Sequence, residues 1–257
     1  MPYKINLNSD LGEAFGAWPM GDDDAMMDIV ASANIACGFH GGDPMVMTRT
    51  VRTAIAKGVS LGAHPGYPDL QGFGRRAMGM SVAEVEAMVA YQIGALSAIA
   101  ATCGGRVTHV KPHGALSNLA AVNSDMANAL GRAIKAVDPS LIFLAPAGSE
   151  MAKAGHRIGL PTAEEVFADR NYDDDGNLVP RKSANAMVHD SDEAAQNVMR
   201  MITQGVIRSV SGKDVPCTVH SVCVHGDEET AVAMARRLRA TLEKNGVTIA
   251  ALTDLPL

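Results

Sequence analysis

Histidine and aspartate residues end five short apolar segments of this sequence. The segments are INLNSD ending at Asp10, IACGFH ending at His40, LGAH ending at His64, VKPH ending at His113 and VCVH ending at His225. Parallel strands buried on both faces read as short apolar runs, and α/β folds carry their chemistry just past the carboxyl ends of such strands. We therefore expect these side chains to share one pocket, where carboxylates and imidazoles move protons or bind a cation.

The first segment carries a ladder of polar side chains. Asn6, Asn8 and Asp10 alternate along one strand, so all three are predicted to face the same interior. Such a ladder makes a poor core unless it serves a site or a buried hydrogen-bond network, which favours a catalytic role for Asp10. Asn8 and Glu13 are candidate substrate-binding residues. For Glu13, the roles of general base, cation ligand and cap of the next segment all stay open.

Two histidines end consecutive strands and suggest a metal. Together with Asp10, His40 and His64 give the set of two histidines and one carboxylate that metal-dependent deacetylases use for a divalent ion. A strand-end histidine is more often a hydrogen-bonding group, and neither residue lies in a helical H-x-x-x-H pair. The other interpretation is that His40 contacts a substrate and that His64 acts in catalysis without a metal.

The segment VKPH places a lysine and a histidine on the same side of one strand. Lys111 and His113 are two residues apart, and an inward-facing lysine is costly unless it is paired or meets an anionic ligand. Our hypothesis is that Lys111 holds a substrate carboxylate or stabilises charge on an amide oxygen, while His113 exchanges protons. The alternative is a surface lysine at a strand end.

A long polar loop after residue 168 carries two arginines. Arg170 and Arg181 are candidates to clamp a substrate carboxylate or phosphate, and the alternative for either is a surface ion pair. Residues 173–177 resemble the start of a calcium loop. Lys182 stands where a bidentate glutamate is required, so the turn is interpreted as a hairpin.

An anion is predicted to bind near His225, which is a candidate substrate-binding residue. Gly226 and Asp227 follow it at a helix start, where backbone N–H groups receive anions; the alternative is that Asp227 only caps the helix. The pair Gly212-Lys213 lacks the upstream glycine and the following Ser or Thr of a P-loop. If ATP is used, the sequence shows no Walker site for it, so ATP binds here in another way or on a partner.

Alternating strands and helices must position these residues. Strands are predicted at 3–9, 34–39, 59–64, 107–112, 141–146, 164–168, 218–225 and 247–252, separated by helices that begin near 22, 43, 81, 123, 148, 190 and 227. This alternation implies a parallel sheet, and seven or eight such units favour closure into a barrel over an open doubly wound sheet. The predicted fold is α/β, a parallel (β/α) barrel forming a single domain over residues 1–257.

Composition agrees with this fold and excludes several partners. A chain of 257 residues fits one barrel, and 47% hydrophobic residues with only 4% aromatics predict an aliphatic core. A net charge of −6 without a basic stripe argues against nucleic acid or an anionic membrane. The four cysteines form no C-x-x-C pair, and we expect no signal peptide and no apolar segment long enough to span a bilayer. These features predict a reduced, cytoplasmic protein.

Motifs through nearly the whole chain resemble the LamB/YcsF family. They are NLNSDLGE (6–13), NIACGFHGGDP (34–44), GAHPGYPDLQGFGRR (62–76), VKPHGAL (110–116), EEVFADRNY (164–172), LVPR (178–181) and VHGD (224–227). The resemblance implies a β/α barrel of the glycoside hydrolase and deacetylase type. The sequence departs from the family at Ser117, where a tyrosine is usual, and at Ala184-Asn185, where Pro-Gly is usual. These departures put the local substrate contacts and the shape of the 182–188 loop in doubt.

The resemblance also implies a function. It predicts one component of an ATP-dependent 5-oxoprolinase that works with two partner subunits and opens 5-oxoproline to L-glutamate. One alternative is a stand-alone, metal-dependent deacetylase or amidohydrolase that uses Asp10, His40 and His64. Another is a non-catalytic subunit that hands a ligand to its partners. The sequence leaves open whether a related lactam or carboxamide is the substrate and whether the chain forms a homo-oligomer.

Overall fold

Seven parallel strands close into a ring at the centre of the molecule. The computed structural model describes residues 3–225 and 229–257. Its strands are β1 (Lys4–Leu11), β2 (Ser32–Ala36), β3 (Ser60–His64), β4 (Val107–Val110), β5 (Ile142–Pro146), β6 (Thr162–Phe167), β7 (Val206–Arg208), β8 (Asp214–Pro216), β9 (Ser221–Cys223) and β10 (Thr248–Ile249). The closed order is β1-β2-β3-β4-β5-β6-β9, and β9 pairs again with β1. The predicted β/α barrel is confirmed, with the lower of the two predicted strand numbers.

Helices connect these strands, and their starts follow the capping signals of the sequence. Within the described residues they are α1 (Asp23–Met27), α2 (Pro44–Ala56), α3 (Val82–Thr102), α4 (Gly114–Val122), α5 (Ser124–Val137), α6 (Glu150–Ile158), α7 (Ser191–Gln204) and α8 (Glu229–Lys244). The carboxylate of Asp43 accepts hydrogen bonds from two backbone N–H groups of α2, and Ser81 forms a reciprocal capping box with Glu84. The predicted helix start at Asp227 lies outside the described residues.

The polar ladder of β1 lies inside the ring and bonds to the neighbouring strands. Asn6 Nδ2 donates to Ser32 Oγ on β2, and Asn8 Nδ2 donates to Ser221 Oγ on β9, each at 2.8 Å. Asn34 Nδ2 on β2 donates to Asn8 Oδ1, also at 2.8 Å. All these side chains are buried, so the alternation predicted a hydrogen-bonded interior network correctly. The rest of the core is mainly Ala, Val, Ile, Leu and Met, as the composition predicted.

Three elements differ from the predicted pattern. The strand expected to close the barrel at 247–252 is β10, which pairs only with the first residues of β1 and is not part of the closed order. Helix α4 was not predicted, because the side chain of its N-cap residue His113 makes no capping hydrogen bond. The antiparallel hairpin of β7 and β8 was also not predicted, because its strands are only 3 residues long.

Helix α3 corrects one expectation about membrane segments. Within the described residues it is 21 residues long and apolar enough, by length and composition, to cross a membrane. The expectation that no segment meets these two criteria is therefore wrong. One face of α3 is buried, and the helix contacts α5 and β3 in the wall of the barrel.

Candidate active site

The carboxyl edge of the barrel brings the predicted side chains together. Asp10 lies near the end of β1, His64 is the last residue of β3, and Lys111 directly follows β4. The side chains that contact one another at this edge are Asn8, Asp10, Glu13, His40, His64, Lys111 and His113. They form two adjacent groups. We call Asn8, Asp10, Lys111, Glu165 and Cys223 the lysine cluster, and Glu13, His40, His64 and His113 the three-histidine cluster.

Lys111 is the centre of the lysine cluster. Its Nζ lies 3.0 Å from Asp10 Oδ1, 3.1 Å from Glu165 Oε2 and 3.2 Å from Asn8 Oδ1. Burial disfavours its charge, but the nearby carboxylates outweigh burial and hold the pKa of Lys111 well above its usual value. The side chain is therefore a buried ammonium group, and the alternative of a surface lysine is wrong, because Lys111 is only 4% exposed.

Asp10 faces this ammonium group as a carboxylate. Its Oδ1 also accepts a hydrogen bond from Asn34 Nδ2 at 2.8 Å, and its Oδ2 lies 3.3 Å from His64 Nε2. Burial raises the pKa of Asp10, but His64 and Lys111 lower it more strongly, so that the pKa lies well below its usual value. Asp10 is thus held in the ionised form that a general base needs.

The three-histidine cluster surrounds one carboxylate oxygen. Glu13 Oε1 lies 3.0 Å from His40 Nε2, 3.3 Å from His113 Nδ1 and 3.8 Å from His64 Nε2. The rings of His40 and His113 are stacked with their centroids 3.6 Å apart. Burial lowers the pKa of His40 to about 3, so this imidazole is neutral near pH 7.

The loop between β3 and α3 covers these rings. Gln92 exchanges two hydrogen bonds of 2.9 Å with the backbone of Gly66, and Asp69 bonds to the backbone of Gly72 and pairs with Arg76. At Phe73 the backbone of this loop contacts His113, and His113 Nε2 lies 2.8 Å from the Phe73 carbonyl oxygen. The site is therefore shielded from one side by backbone.

His225 forms a pair with Asp169 on the other side of Lys111. Its Nδ1 lies 2.7 Å from Asp169 Oδ2, while the buried Oδ1 of Asp169 has no hydrogen-bond partner among the described residues. Burial lowers the pKa of His225, but the carboxylate of Asp169 outweighs burial and raises it. The predicted anion site needs Gly226 and Asp227, which lie outside the described residues.

Within the described residues, the hydrogen bonds of the two arginines in the long loop go to other residues of that loop and not to the two clusters. Arg170 is buried and donates to the backbone carbonyls of Val179 at 2.6 Å and Ala186 at 3.4 Å, which holds the loop folded. Arg181 is exposed, and its Nη1 lies 3.8 Å from the sulfur of Met187. A substrate clamp by Arg170 and Arg181 stays a prediction. The hairpin at 173–177 is confirmed by pairing of Tyr172 with Leu178.

Several site residues were missed by reasoning from the sequence. Glu165 lies beside Glu164 on β6, and alternation allows only one of two adjacent residues to face the interior. Cys223 was also not among the predicted site residues, but its sulfur lies 3.1 Å from Lys111 Nζ. His109 was not among the predicted site residues, and its Nε2 donates a hydrogen bond to Asn34 Oδ1, 3.0 Å away, within the interior network. Asp169, which pairs with His225, was not predicted either.

The metal set proposed from the sequence is divided between two groups of donors. His40 and His64 lie with Glu13 and His113, whereas Asp10 lies with Cys223 and His225. In each group the donor atoms lie within 4.8 Å of one another. Asp10 nevertheless contacts one of these histidines, because its Oδ2 lies 3.3 Å from His64 Nε2. A metal held by Asp10, His40 and His64 stays a prediction.

The two departures from the family pattern lie on α4 and on the long loop. Ser117 is half-buried on α4, and its backbone N–H lies 3.4 Å from the carbonyl oxygen of His113. Ala184 and Asn185 are exposed on the long loop, where the Asn185 carbonyl accepts a hydrogen bond from Asn171 at 3.0 Å.

Loops at the carboxyl edge leave a small cavity beside Asp10 and Glu13. The loop that leads into α1 borders it with Met20, Gly21, Asp22 and Asp23. A larger groove of about 710 Å³ lies between α7 and α8, away from both clusters. The small cavity is nevertheless the better candidate for chemistry, because charged groups with perturbed pKa values converge there.

Fold and site together define the class of this protein. It is a seven-stranded parallel β/α barrel with buried ionic groups at the carboxyl edge, the edge where barrels of this type carry their active sites. A family 4 carbohydrate esterase from Streptomyces lividans shares this fold with a TM-score of 0.51 and 13% identity, covering 96% of this chain and 91% of that one.

Sequence comparison assigns the family. The LamB/YcsF family model matches residues 5–256, and the chain belongs to this family. A protein of Azoarcus sp. that is named as a 5-oxoprolinase subunit is 57% identical over 98% of both chains. The crystal structure of a lactam utilization protein from Thermus thermophilus has a TM-score of 0.91 and 42% identity, covering 96% of this chain and 99% of that one.

Proposed function

We propose that this chain is the 5-oxoprolinase subunit that carries the lactam site and opens 5-oxoproline to L-glutamate in an ATP-dependent complex with two partner subunits. The observation that carries the proposal is the buried Lys111 ammonium group, held between Glu165 and Asp10, of which Asp10 borders the small cavity. The names of relatives that match over nearly the whole chain support the same substrate class.

The reaction is difficult because amide resonance makes a lactam carbonyl a poor electrophile. Lys111 would stabilise negative charge on the carbonyl oxygen, and Asp10 would accept a proton from the attacking water. His225, whose pKa is raised by the carboxylate of Asp169, would give a proton to the ring nitrogen as the C–N bond breaks. The contacts of His113 favour a different role for it, because both its nitrogens face other groups of the protein.

ATP would remove the resonance problem by phosphorylating the amide oxygen. Water would then attack the carbon, and the C–N bond would break as the ring nitrogen takes a proton, which leaves an acyl phosphate. A second water would attack the carbonyl carbon of this acyl phosphate, and the phosphate would leave with the original amide oxygen. Labelling that oxygen of 5-oxoproline with ¹⁸O tests this order of events in the complete complex. We expect label in inorganic phosphate, and glutamate formed with unlabelled phosphate would contradict the phosphorylated intermediate.

Glutamate release tests the function itself. The chain is assayed alone and with the two partner subunits, with and without ATP, and glutamate is expected only when ATP and partners are both present. Lys111→Met is expected to lower turnover by roughly 100-fold or more, because the oxyanion loses its cation. Lys57→Met removes an exposed lysine paired with Asp28 and serves as the matched control. Unchanged turnover in Lys111→Met would make the proposed role wrong.

A second candidate is a stand-alone, metal-dependent amidohydrolase. The convergence of Glu13, His40, His64 and His113 favours it, because three imidazoles and one carboxylate are ligands that a catalytic metal accepts. This candidate predicts hydrolysis of an amide or acetyl group without ATP and without partners. Turnover that requires ATP would exclude it, and ligand binding without any turnover would favour a binding subunit instead.

A further inference from the structure

The cavity beside Asp10 is smaller than the proposed substrate. Its volume is about 10 Å³, and a cavity of that size has room for about one water molecule. The lactam 5-oxoproline is a five-membered ring that carries a carboxylate, so it does not fit while the walls of the cavity keep these positions. One wall therefore has to move before the lactam carbonyl reaches Asp10.

Most walls of this cavity are fixed. Asp10 and Glu13 are held by ionic contacts within the two clusters, and Leu11 between them is only 3% exposed. Asp23, at the start of α1, accepts a hydrogen bond from the Gly12 N–H at 3.0 Å, which ties α1 to the end of β1. The remaining wall is the loop between β1 and α1.

That loop consists of a small hairpin and a short strap, which together we call the lid, residues 15–21. In the hairpin, Phe15 and Trp18 exchange backbone hydrogen bonds of 3.0 and 2.9 Å, and their rings are stacked. The strap, residues 19–21, contributes Met20 and Gly21 to the cavity wall. Among the described residues, no backbone group of the strap makes a hydrogen bond. The wall formed by the strap is therefore the least constrained.

The residues on either side of the lid are tied to the barrel. The carbonyl oxygen of Ala14 accepts a hydrogen bond from the Gly42 N–H at 3.1 Å, and Asp22 Oδ1 accepts one from the Ala25 N–H at 3.0 Å. Gly21 has φ +64° and lies directly before this cap of α1. Since glycine changes φ with little strain, Gly21 can turn while both flanks of the lid stay in place.

One carboxylate holds the hairpin of the lid. The Gly16 N–H donates to Asp43 Oδ2 at 2.8 Å, while Asp43 Oδ1 accepts hydrogen bonds from the backbone N–H groups of Met45 and Val46 at the start of α2. Gly16 is exposed, so water can replace Asp43 Oδ2 as its partner. The bond between Gly16 and Asp43 is therefore a latch that can break without disturbing the cap of α2.

The lid also exposes large apolar side chains. Trp18 is 67% exposed and Met20 is 39% exposed. Trp18 is the only tryptophan of the chain, so its emission reports on the lid alone. A lid that closes over a bound lactam would place Met20 between the lactam and bulk water.

We infer that residues 15–21 form a lid that opens to admit the lactam to Asp10 and closes over it, with the hydrogen bond between Gly16 and Asp43 as its latch. The inference rests on the proposed function, because the lactam is what the cavity has to admit. The opening itself is a property of the free chain, and it is tested without turnover. It adds a conformational step before the chemistry.

Asp43→Asn tests the latch in the free chain. The amide oxygen of the variant still caps α2, but its Nδ2 faces the Gly16 N–H and only donates. We expect the Gly16 amide to exchange its hydrogen about 10-fold faster or more than in the wild type, because the lid opens more often. Hydrogen exchange of the full chain, followed by NMR, measures this rate.

Asp190→Asn is the matched control. Asp190 Oδ1 caps α7 in the same way, through two backbone N–H groups, and the exchange of Gly16 should stay unchanged in this variant. Circular dichroism checks that both variants are folded. If the Gly16 amide of a folded Asp43→Asn exchanges as slowly as that of the wild type, the inference is overturned.

Ligand binding separates the lid from the proposed function. Binding of 5-oxoproline to the full chain is measured by calorimetry, and the emission of Trp18 is followed by stopped-flow fluorescence. We expect the emission to change on binding, and to change faster in Asp43→Asn because the open lid is more populated. Binding without a change in emission or in lid exchange would overturn the inference and leave the lactam site in place. Absence of binding would count against the proposed function, and exchange in the free chain would still decide whether the lid opens.

Discussion

At the residue scale, the pairing of Asp169 with His225 makes the clearest prediction about proton transfer. The carboxylate of Asp169 orients His225 and raises the pKa of that histidine, and Asp169→Asn removes this carboxylate. Turnover is therefore expected to fall by about 10-fold or more, as it does when a general acid is misplaced. A group that must be protonated loses activity as pH rises through its pKa. The alkaline limb of the pH profile should therefore move to lower pH.

The check on this prediction is the pH dependence of glutamate release by the complete complex. Asp175→Asn changes an exposed acidic residue in the 173–177 turn and should leave both the rate and the profile unchanged. An alkaline limb at the same pH in Asp169→Asn and wild type would show that His225 is not the titrating acid.

Cysteine reactivity should also differ sharply from residue to residue. All four cysteines are free, but burial raises the pKa of Cys37 to about 12, and it raises the pKa of Cys223 well above its usual value. Cys103 is half-exposed at the end of α3. We expect iodoacetamide to modify Cys103 first in the native chain, as followed by peptide mass spectrometry. Labelling of Cys223 as fast as Cys103 would contradict its buried position beside Lys111.

At the scale of elements, the loop over the three-histidine cluster depends on one glycine. Gly74→Ala places a Cβ against His40 and His113 at a positive φ, which is expected to lower the free energy of unfolding by about 2 kcal/mol. Gly79→Ala is the matched control, because a Cβ there meets nothing within 4 Å and its φ is not positive. Urea unfolding measures the stability of both variants. Equal stability of Gly74→Ala and Gly79→Ala would mean that the loop is not tightly packed against the rings.

Elements with a capping signal could be predicted from the sequence, and elements without one could not. The starts of α2 and α3 follow Asp43 and Ser81, whose side chains satisfy free N–H groups in any context. Helix α4 lacks such a signal, since the side chain of its N-cap residue His113 makes no capping hydrogen bond. The short β7–β8 hairpin likewise depends on packing rather than on local alternation.

At the scale of the whole molecule, the buried network predicts sensitivity to acid. Burial, with Lys111 and His64 nearby, lowers the pKa of His109 to about 3, whereas an unfolded chain protonates this histidine near its usual value of 6.5. The folded state therefore binds fewer protons, and stability present above pH 6.5 is lost as the pH falls toward 3. The loss attributable to His109 is on the order of 3–5 kcal/mol.

Urea unfolding of wild type and His109→Gln at several pH values from about 7 to about 4 tests the predicted loss of stability with falling pH. The variant should be less stable at neutral pH but lose less stability on acidification. His189→Gln, an exposed histidine, controls for the general loss of charge. A pH slope in His109→Gln that equals the wild-type slope would show that His109 does not contribute to acid unfolding.

The sequence alone determined the barrel, the carboxyl edge as the place of the site, and most of the side chains found there. It could do so because strand alternation decides which residues face inward, and because parallel strands end at one edge. Only the tertiary structure decided which of those side chains touch. In the structure Asp10 contacts Lys111 rather than His40, and Glu13 and His113 lie with the two histidines. The structure also shows three site residues that were not predicted, Glu165, Cys223 and Asp169. Contacts of about 3 Å across a closed ring depend on strand stagger and on the returning loops, which residues distant in the chain determine together.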